Sequence, residues 1–147
     1  MLRDIHPLLT GELLLHLDRM GHSDAVVVTD AHYPAWRIGT RVIDLPGTSI
    51  VDVLTAIATV LPLDDEPAVD GMTPGERLPV HDDIAAAAGV AELRLLDREG
   101  FYRASETAYL FVRTGETRTY ANAIVRKGIV TALIHAATPQ CLFRAYV

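Results

Sequence analysis

The segment that most constrains the fold is residues 20–34, where the end of a helical pattern, an apolar strand and a polar loop follow one another. Gly21 follows the helical pattern and is expected to take the left-handed cap conformation. Residues 25–29 are β-branched or small and uncharged, which predicts a strand covered on both faces. Asp30 lies at the carboxyl end of that strand, where open α/β sheets bind ligands. Pro34 predicts an extended chain with no helix at that point.

Helical and strand patterns alternate along most of the chain. Thr10 is a predicted N-cap, and the apolar residues after it recur at helical spacing: Leu13, Leu14, Leu17 and Met20. Ser49 and Asp52 form a sequence resembling a capping box. The helix that they begin has the apolar stripe Ile50, Val53, Leu54, Ile57 and Leu61. Both helices are therefore predicted to lie on a sheet.

The remaining pattern predicts several short elements. Strands are expected at residues 41–45, 68–69, 91–96, 108–112 and 123–125. A helix is expected at residues 82–88, and another from a cap at Asp97 to about Glu106, whereas residues 36–39 are expected to form a loop. Strands that alternate with helices favour an α/β fold, with a three-layer α/β/α arrangement and a largely parallel sheet. Residues 1–147 are predicted to form one domain.

Composition and charge exclude several classes of function. The chain has 147 residues, 13 Lys and Arg against 19 Asp and Glu, and a net charge of −6, which argues against nucleic acid or an anionic membrane as the main partner. Cys141 is the single cysteine, so an internal disulfide is impossible and a cytoplasmic location is expected. The N-terminus has no signal-peptide pattern, and no apolar run reaches the roughly 18 residues of a spanning helix. A Gly-rich phosphate loop after the first strand is also lacking.

Polar residues in the first half of the chain are candidates for chemistry, and each also has an ordinary structural interpretation. His22 is either a loop histidine bonded to the main chain or an acid/base group, since the unperturbed histidine pKa is about 6.5. Asp30 is either a cap or Asx-turn residue or a ligand for hydroxyl groups. His32 forms an Asp-x-His pair with Asp30, but two ligands without a third are weak evidence for a metal, and no metal or cofactor is predicted. Asp64 begins an acidic loop that would ordinarily be solvated.

A second group of polar residues lies near the C-terminus. Arg98 and Tyr102 are four residues apart and share one face of the predicted helix, either as site residues or as a surface arginine packed along a tyrosine ring. Tyr120, Ala121 and Asn122 offer a phenol, a main-chain amide and a carboxamide. From the residues alone, a polar turn before a strand is the preferred interpretation of this triplet.

Two blocks of sequence resemble the ribose pyranase / L-fucose mutarotase family. The first is Gly21-His22-Ser23-Asp24 followed by Asp30-Ala31-His32-Tyr33-Pro34. The second contains Phe101-Tyr102-Arg103, Thr114-Gly115-Glu116, Tyr120-Ala121-Asn122 and Arg126-Lys127-Gly128. The resemblance extends from about residue 7 to residue 130, so residues 131–147 are a C-terminal extension outside it. The blocks favour the fucose branch, although Tyr-Ala-Asn is common in the ribose branch and residues 67–89 are shorter and richer in proline than expected.

The resemblance implies an isomerase that interconverts the α and β anomers of L-fucose or a related sugar by acid/base ring opening. His22 is implied as a general acid and Tyr102 as a second acid/base group. The implied sugar ligands are Asp30, Asp64, Arg98, Tyr120, Ala121 and Asn122. The alternatives are a D-ribose pyranase and a non-catalytic sugar-binding or transport-accessory protein.

The resemblance also implies a homo-oligomeric ring, since family members form decamers of stacked pentamers with sites between subunits. The spacing of His22 and Asp30 along the predicted strand also favours an oligomer. Five strand residues separate the His22 loop from Asp30, and a strand rises about 3.3 Å per residue. If the strand is straight, the two side chains lie at its opposite ends. They then belong to different sites within an oligomer, or the His22 loop folds back; a site shared between subunits would resolve the distance. The apolar C-terminal tail either covers a neighbouring subunit or is an ordinary extension.

Overall fold

A computed structural model describes residues 2–131, which contain a six-stranded sheet with the order β2-β5-β1-β6-β3-β4. The strands are β1 (Ala25–Thr29), β2 (Val42–Leu45), β3 (Val69–Met72), β4 (Arg94–Leu96), β5 (Leu110–Thr114) and β6 (Ala123–Arg126). The helices of this part of the chain are α1 (Gly11–Arg19), α2 (Ala35–Ile38), α3 (Ile50–Ala58), α4 (Pro79–Ala88) and α5 (Arg98–Ser105). None of these helices is long and apolar enough to cross a membrane. Cys141 and the apolar tail lie outside the described residues.

The sheet is largely parallel, as predicted, with one reversed strand near its centre. Strand β5 pairs in parallel with β1 and β2, and β3 pairs in parallel with β4. Strand β6 lies between β1 and β3 and is antiparallel to both. Because β6 runs backwards, its first residues lie at the edge of the sheet where the other strands end. The residues just before β6 are thereby brought to the same edge as Asp30.

Helices cover both faces of the sheet, which confirms the three-layer prediction. Val26 and Val28 of β1 pack in one apolar cluster with residues of α1, α3 and α4. Val27 points to the other face and packs in a second cluster with Ala35 of α2 and Phe101 of α5. The three valines are fully buried, as the alternation of side chains along a doubly covered strand requires.

The predicted starts of α1, α3 and α5 are confirmed by their capping contacts. The Thr10 side chain accepts the main-chain N–H of Leu13, and the Asp97 carboxylate caps α5 in the same way. Ser49 and Asp52 form the complete capping box at the start of α3. Caps of this type stabilise a helix by about 1 kcal/mol each. These starts depend on contacts within four residues, which is why the sequence pattern located them.

The prediction of a left-handed Gly21 cap is wrong. Helix α1 ends at Met20 in an extended conformation, and Ser23 adopts the positive φ of 66° instead. The Gly21 N–H donates to Asp24 Oδ2 at 2.7 Å. The Lys127 ammonium group donates to three main-chain carbonyl groups at the end of α1, at 2.7 to 3.2 Å. A side chain that is distant in sequence, at the end of β6, therefore satisfies the carbonyl groups that a glycine cap would otherwise satisfy.

Two prolines begin helices where the sequence pattern predicted otherwise. Residues 36–39 were expected to form a loop, but α2 begins directly after Pro34, whose carbonyl accepts the N–H groups of Arg37 and Ile38. Helix α4 begins at Pro79, three residues before the predicted start. Proline suits a first helical turn because the N–H that it lacks has no partner within the helix. Pro34 was expected to prevent a helix, whereas in the structure both prolines lie at helix starts.

A buried carboxylate in β3 binds arginine side chains from both neighbouring strands. Asp70 in β3 is fully buried and receives two hydrogen bonds from Arg94 of β4, at 2.7 and 2.9 Å. Arg126 at the end of β6 donates to the same carboxylate at 2.6 Å. The charge of Arg94, unusual for a strand, thus compensates a charge that would be costly to bury alone.

Candidate functional site

Asp30 and Asn122 form the centre of the site at the carboxyl edge of the sheet. Asp30 Oδ1 accepts the N–H groups of His32 and Tyr33 at 2.9 Å each, which is the Asx-turn arrangement. Asn122 accepts the Asp30 N–H at 2.9 Å and donates to Asp30 Oδ2 at 3.0 Å. A carboxylate has about four acceptor positions, so one position on Oδ2 is left for a ligand. Burial raises the pKa of Asp30 above its usual range, against the lowering effect of these hydrogen bonds.

A cavity of about 200 Å³ opens beside Asp30. It is lined by Asp30, His32, Tyr33, Met72, Arg98, Tyr102, Thr119, Tyr120 and Asn122. Five of the eight predicted site residues therefore meet here: Asp30, Arg98, Tyr102, Tyr120 and Asn122. Ala121, between two of them in sequence, is fully buried behind the wall. The cavity is smaller than the roughly 300–1,000 Å³ of drug-sized sites and suits a small polar ligand.

A larger groove of about 800 Å³ lies elsewhere, between the segment around Asp64 and the segment from Val90 to Arg94. Asp64 is the only predicted site residue in its lining. The smaller cavity is the better candidate because a carboxylate, a guanidinium, two phenols and a carboxamide converge on it, and converging polar groups mark binding sites better than volume does.

Tyr33 places α5 against the loop that follows β1. Its ring meets the Tyr102 ring edge to face at a centroid distance of 5.2 Å, and its hydroxyl lies 2.8 Å from Ser105 Oγ. Burial raises the pKa of Tyr33 to about 12. Its proton is therefore held too tightly for acid/base exchange near neutral pH, and its contacts position Tyr102 instead.

Three residues of the lining, Tyr33, Met72 and Thr119, were not predicted as site residues. Thr119 could have been found as the neighbour of Tyr120. Tyr33 belongs to the first sequence block but had no role assigned, and Met72 had no signal, because its place in the wall depends on tertiary packing.

A charged cluster holds the loop that carries Tyr120. The Arg118 guanidinium donates to Glu116 at 3.0 and 3.1 Å and to Asp83 of α4 at 2.7 Å. The Glu116 carbonyl accepts the N–H of Ala31, the residue after Asp30. Tyr120 itself has a positive φ of 62°, a conformation that costs a non-glycine residue about 1–3 kcal/mol. The cluster offsets this cost by joining the loop to α4 and to the end of β1.

The Glu116 carboxylate is expected to contribute to stability only above acidic pH. Hydrogen bonds from Arg118 lower the Glu116 pKa from 4.5 to about 2. Its contribution is therefore complete above pH 4.5 and lost as pH falls from 4.5 towards 2. We expect Glu116→Gln to cost roughly 2 kcal/mol at pH 7, once solvent screening of the half-exposed Arg118 is allowed for, and little near pH 2.5.

Urea unfolding at pH 7 and at about pH 2.5 measures this difference. The exposed Glu92 supplies the matched control, because Glu92→Gln removes the same charge without an Arg118 contact. An equal cost of Glu116→Gln at both pH values would contradict the role of the ionised carboxylate.

His22 and Asp64 meet at the other end of β1. His22 Nε2 lies 3.0 Å from Asp64 Oδ1, and Ser23 Oγ donates to Asp64 Oδ2 at 2.7 Å. Hydrogen bonds from Ser23 and then from His22 lower the pKa of Asp64. Since β1 separates this pair from Asp30 by five residues, the two groups lie roughly 16 Å apart along the strand. Within one chain, the predicted polar residues therefore lie in two separate groups, one at each end of β1.

His32 contacts Asp30 through its main chain rather than through its ring. The ring Nε2 lies 3.3 Å from the carbonyl oxygen of Thr117. Within residues 2–131, no group of three or more His, Cys, Asp or Glu side chains could hold a metal ion. The Asp-x-His spacing is therefore explained by a turn whose N–H groups bind the Asp30 carboxylate.

Comparison with known proteins supplies the family. A sequence model of the RbsD / FucU transport protein family matches residues 3–130. An L-fucose mutarotase of Histophilus somni (strain 129Pt) is 36% identical over 140 residues, covering 88% of this chain and 97% of the relative. The fucose mutarotase of Streptococcus pneumoniae in complex with L-fucose has a TM-score of 0.79 at 33% identity, covering 88% of this chain and 99% of that one. Bacillus subtilis RbsD complexed with D-ribose has a TM-score of 0.71 at 24% identity, covering 85% and 97%, and shows the fold alone. The resemblance carried by the two sequence blocks is confirmed: the chain belongs to the RbsD / FucU transport protein family.

Proposed function

We propose that this protein is a monosaccharide mutarotase, an isomerase that interconverts the α and β anomers of L-fucose or a related sugar. The observation that carries the proposal is the cavity at the carboxyl edge of the sheet, where Asp30, Arg98, Tyr102, Tyr120 and Asn122 converge. These groups can donate to and accept from several hydroxyl groups at once, as recognition of a polyol requires. The similarity to proteins named L-fucose mutarotase supports the same activity.

Mutarotation needs only proton transfers at two oxygen atoms. A base removes the proton from the anomeric hydroxyl, and the O–H electron pair forms the carbonyl bond. The bond between C1 and the ring oxygen breaks, its electron pair stays on the ring oxygen, and an acid protonates that oxygen. Rotation about C1–C2 and the reverse steps close the ring on the other face. Two acid/base groups suffice, and we assign these roles to His22 and Tyr102.

The two acid/base groups can serve one sugar only if two copies of the chain contribute. His22 lies at the amino end of β1 and Tyr102 lines the cavity at the carboxyl end. The His22 side chain is 57% exposed in the single chain, so it is available to a neighbouring copy. We therefore propose a homo-oligomeric ring, a decamer by family resemblance, with His22 of one subunit completing the cavity of the next. The single cysteine supports the proposed cytoplasmic location.

Ala121 favours a second candidate, a D-ribose pyranase that interconverts pyranose and furanose rings. The Tyr120-Ala121-Asn122 sequence is the form common in the ribose branch, and Ala121 is fully buried between two cavity residues. A non-catalytic sugar-binding protein is the third candidate. It would use the same cavity but would leave the His22–Asp64 pair without a role.

The function is tested by NMR saturation transfer between the anomeric protons of L-fucose and then of D-ribose, with and without the protein. We expect faster exchange for L-fucose, because a positioned acid and base lower the barrier to ring opening. Acceleration for D-ribose alone would assign the protein to the pyranase branch. A lack of acceleration across a panel of aldoses, combined with measurable sugar binding, would favour the binding protein.

A further inference from the structure

We propose that Asp64 is a positioning residue that holds His22 in the Nε2–H tautomer, so that Nδ1 is the nitrogen that exchanges a proton with the sugar. This inference rests on the proposed mutarotase function. It gives Asp64 a role other than the sugar ligand that the family resemblance implied.

The hydrogen bonds around Asp64 determine the tautomer. His22 Nε2 lies 3.0 Å from Asp64 Oδ1, which also accepts the main-chain N–H of Asp65 at 2.9 Å. Asp64 Oδ2 accepts the Ser23 hydroxyl at 2.7 Å. Each donor stabilises the ionised carboxylate, and an ionised carboxylate can only accept hydrogen bonds. His22 Nε2 must therefore carry the proton, and the lone pair of the neutral ring lies on Nδ1.

Main-chain hydrogen bonds fix the two loops that carry His22 and Asp64. The Asp64 N–H donates to the Arg126 carbonyl at 3.0 Å. Main-chain bonds at 2.8 and 2.9 Å also join Lys127 to Ser23 and Asp24 of the His22 loop. The end of β6 thus holds both loops, one on either side. The Asp64 side chain is only 15% exposed, as expected for a fixed carboxylate.

The same geometry serves both directions of the reaction. When neutral, His22 can remove a proton from a sugar hydroxyl through Nδ1. When charged, it can return the proton from the same atom. In both states the Nε2–H group keeps its hydrogen bond to Asp64. The negative charge of Asp64 stabilises the imidazolium that forms, and the fixed ring keeps Nδ1 in one direction. Because ring opening and closing reverse each other, a single nitrogen that alternates between the two states is sufficient for the part of His22, while Tyr102 serves the other oxygen atom.

Asp64, like Asp30, keeps one acceptor position that a sugar hydroxyl could occupy, while its other hydrogen bonds hold it against the His22 loop. Three of its roughly four acceptor positions are taken by His22, Ser23 and Asp65. A positioning residue and a sugar ligand also differ in their effects on kinetics. Loss of positioning lowers kcat with little change in KM, whereas loss of a ligand that binds substrate and transition state equally raises KM.

The test combines NMR of the histidine ring with the kinetics of anomer exchange. In protein labelled with ¹⁵N-histidine, long-range ¹H–¹⁵N correlations identify the tautomer of His22, whose signals are assigned by their loss in His22→Ala. We expect the Nε2–H form in the wild type and a measurable Nδ1–H population in Asp64→Ala. In the same variant kcat is expected to fall roughly 10- to 100-fold with little change in KM. Asp64→Asn keeps an acceptor oxygen beside the Asp65 N–H, so it should retain the tautomer with an intermediate kcat.

Asp65→Ala is the matched control, because it removes a neighbouring carboxylate while the main-chain N–H that binds Asp64 remains. It should leave both the ring signals and kcat unchanged. The proposal is overturned if wild-type His22 is in the Nδ1–H form, or if Asp64→Ala raises KM with the tautomer unchanged. Absence of exchange in the wild type would contradict the proposed function instead, and the ring signals would still report on the tautomer.

Discussion

His22→Ala is expected to lower the rate of anomer exchange by roughly 10²- to 10⁴-fold, the usual contribution of a positioned acid/base group. The protein should stay folded, because the His22 ring is half-exposed and its described hydrogen bond is the one to Asp64. Sugar binding should largely persist, since the converging polar groups lie in the cavity at the other end of β1. NMR saturation transfer measures the exchange, and titration calorimetry with L-fucose measures the binding.

His16→Ala is the matched control for this variant. It removes an imidazole from α1 that lies 3.2 Å from the Tyr109 hydroxyl, away from the proposed acid/base pair. It should exchange anomers at the wild-type rate. Wild-type exchange by His22→Ala would contradict the assignment of His22 as an acid/base group.

Mixing two inactive variants tests whether the site is shared between subunits. If His22 of one copy completes the cavity of the next, assemblies of His22→Ala and Tyr102→Phe chains contain interfaces with both groups intact. Random mixing of a head-to-tail ring would give about a quarter of the sites this composition. Exchange should then reappear after the chains are mixed and allowed to re-associate. A lack of recovery in mixed rings, or full activity in a folded monomer, would contradict the shared site.

Gly128→Ala is expected to destabilise the protein by about 3 kcal/mol or more. An added Cβ would lie 2.5 Å from the carbonyl carbon of Leu63 and 2.8 Å from Asp64 N, and closer still to the Leu63 oxygen. These are main-chain atoms, which cannot move aside as a flexible side chain can. Relief of the clash would separate two segments that are joined by hydrogen bonds from Gly128 N–H to Pro62 and from Asp64 N–H to Arg126. Overpacking of this kind usually costs 1–3 kcal/mol, and the lost hydrogen bonds add to it.

Urea unfolding measures the cost, and Gly11→Ala is its control. Gly11 is the first residue of α1, and an added Cβ there would meet no atom within 4 Å. That substitution should be neutral or slightly stabilising, because alanine favours a helix more than glycine does. Any folded Gly128→Ala protein should also lose exchange activity, since Asp64 and His22 would move apart. Wild-type stability of Gly128→Ala would show that the two segments can separate without cost.

Most helices and strands of this protein were predicted from the sequence because their signals are local. Thr10, Ser49 and Asp97 cap helices through side chains that reach main-chain groups only three residues away. Residues 25–29 were recognised as a doubly buried strand from their own side chains. The two sequence blocks also led to the family, since the order of short motifs is a property of sequence alone.

The tertiary structure decided which residues meet. Asp30 and Asn122 are 92 positions apart, and they bond because β6 runs backwards beside β1. The same strand delivers Lys127 to the end of α1, which made the predicted Gly21 cap unnecessary. The residues next to Asp30, Asn122 and Lys127 in the sequence do not indicate these long-range contacts.

The pairing of His22 with Asp64 is likewise decided by the tertiary structure. It depends on two loops that the end of β6 holds side by side. A sequence can specify a helix cap through neighbouring residues, but the partner of a side chain in the site is specified only when the whole sheet has formed. The physical reason is that a helix or strand depends on contacts between residues close in sequence. The Asp30–Asn122 and His22–Asp64 pairs form only when segments that are distant in sequence lie side by side.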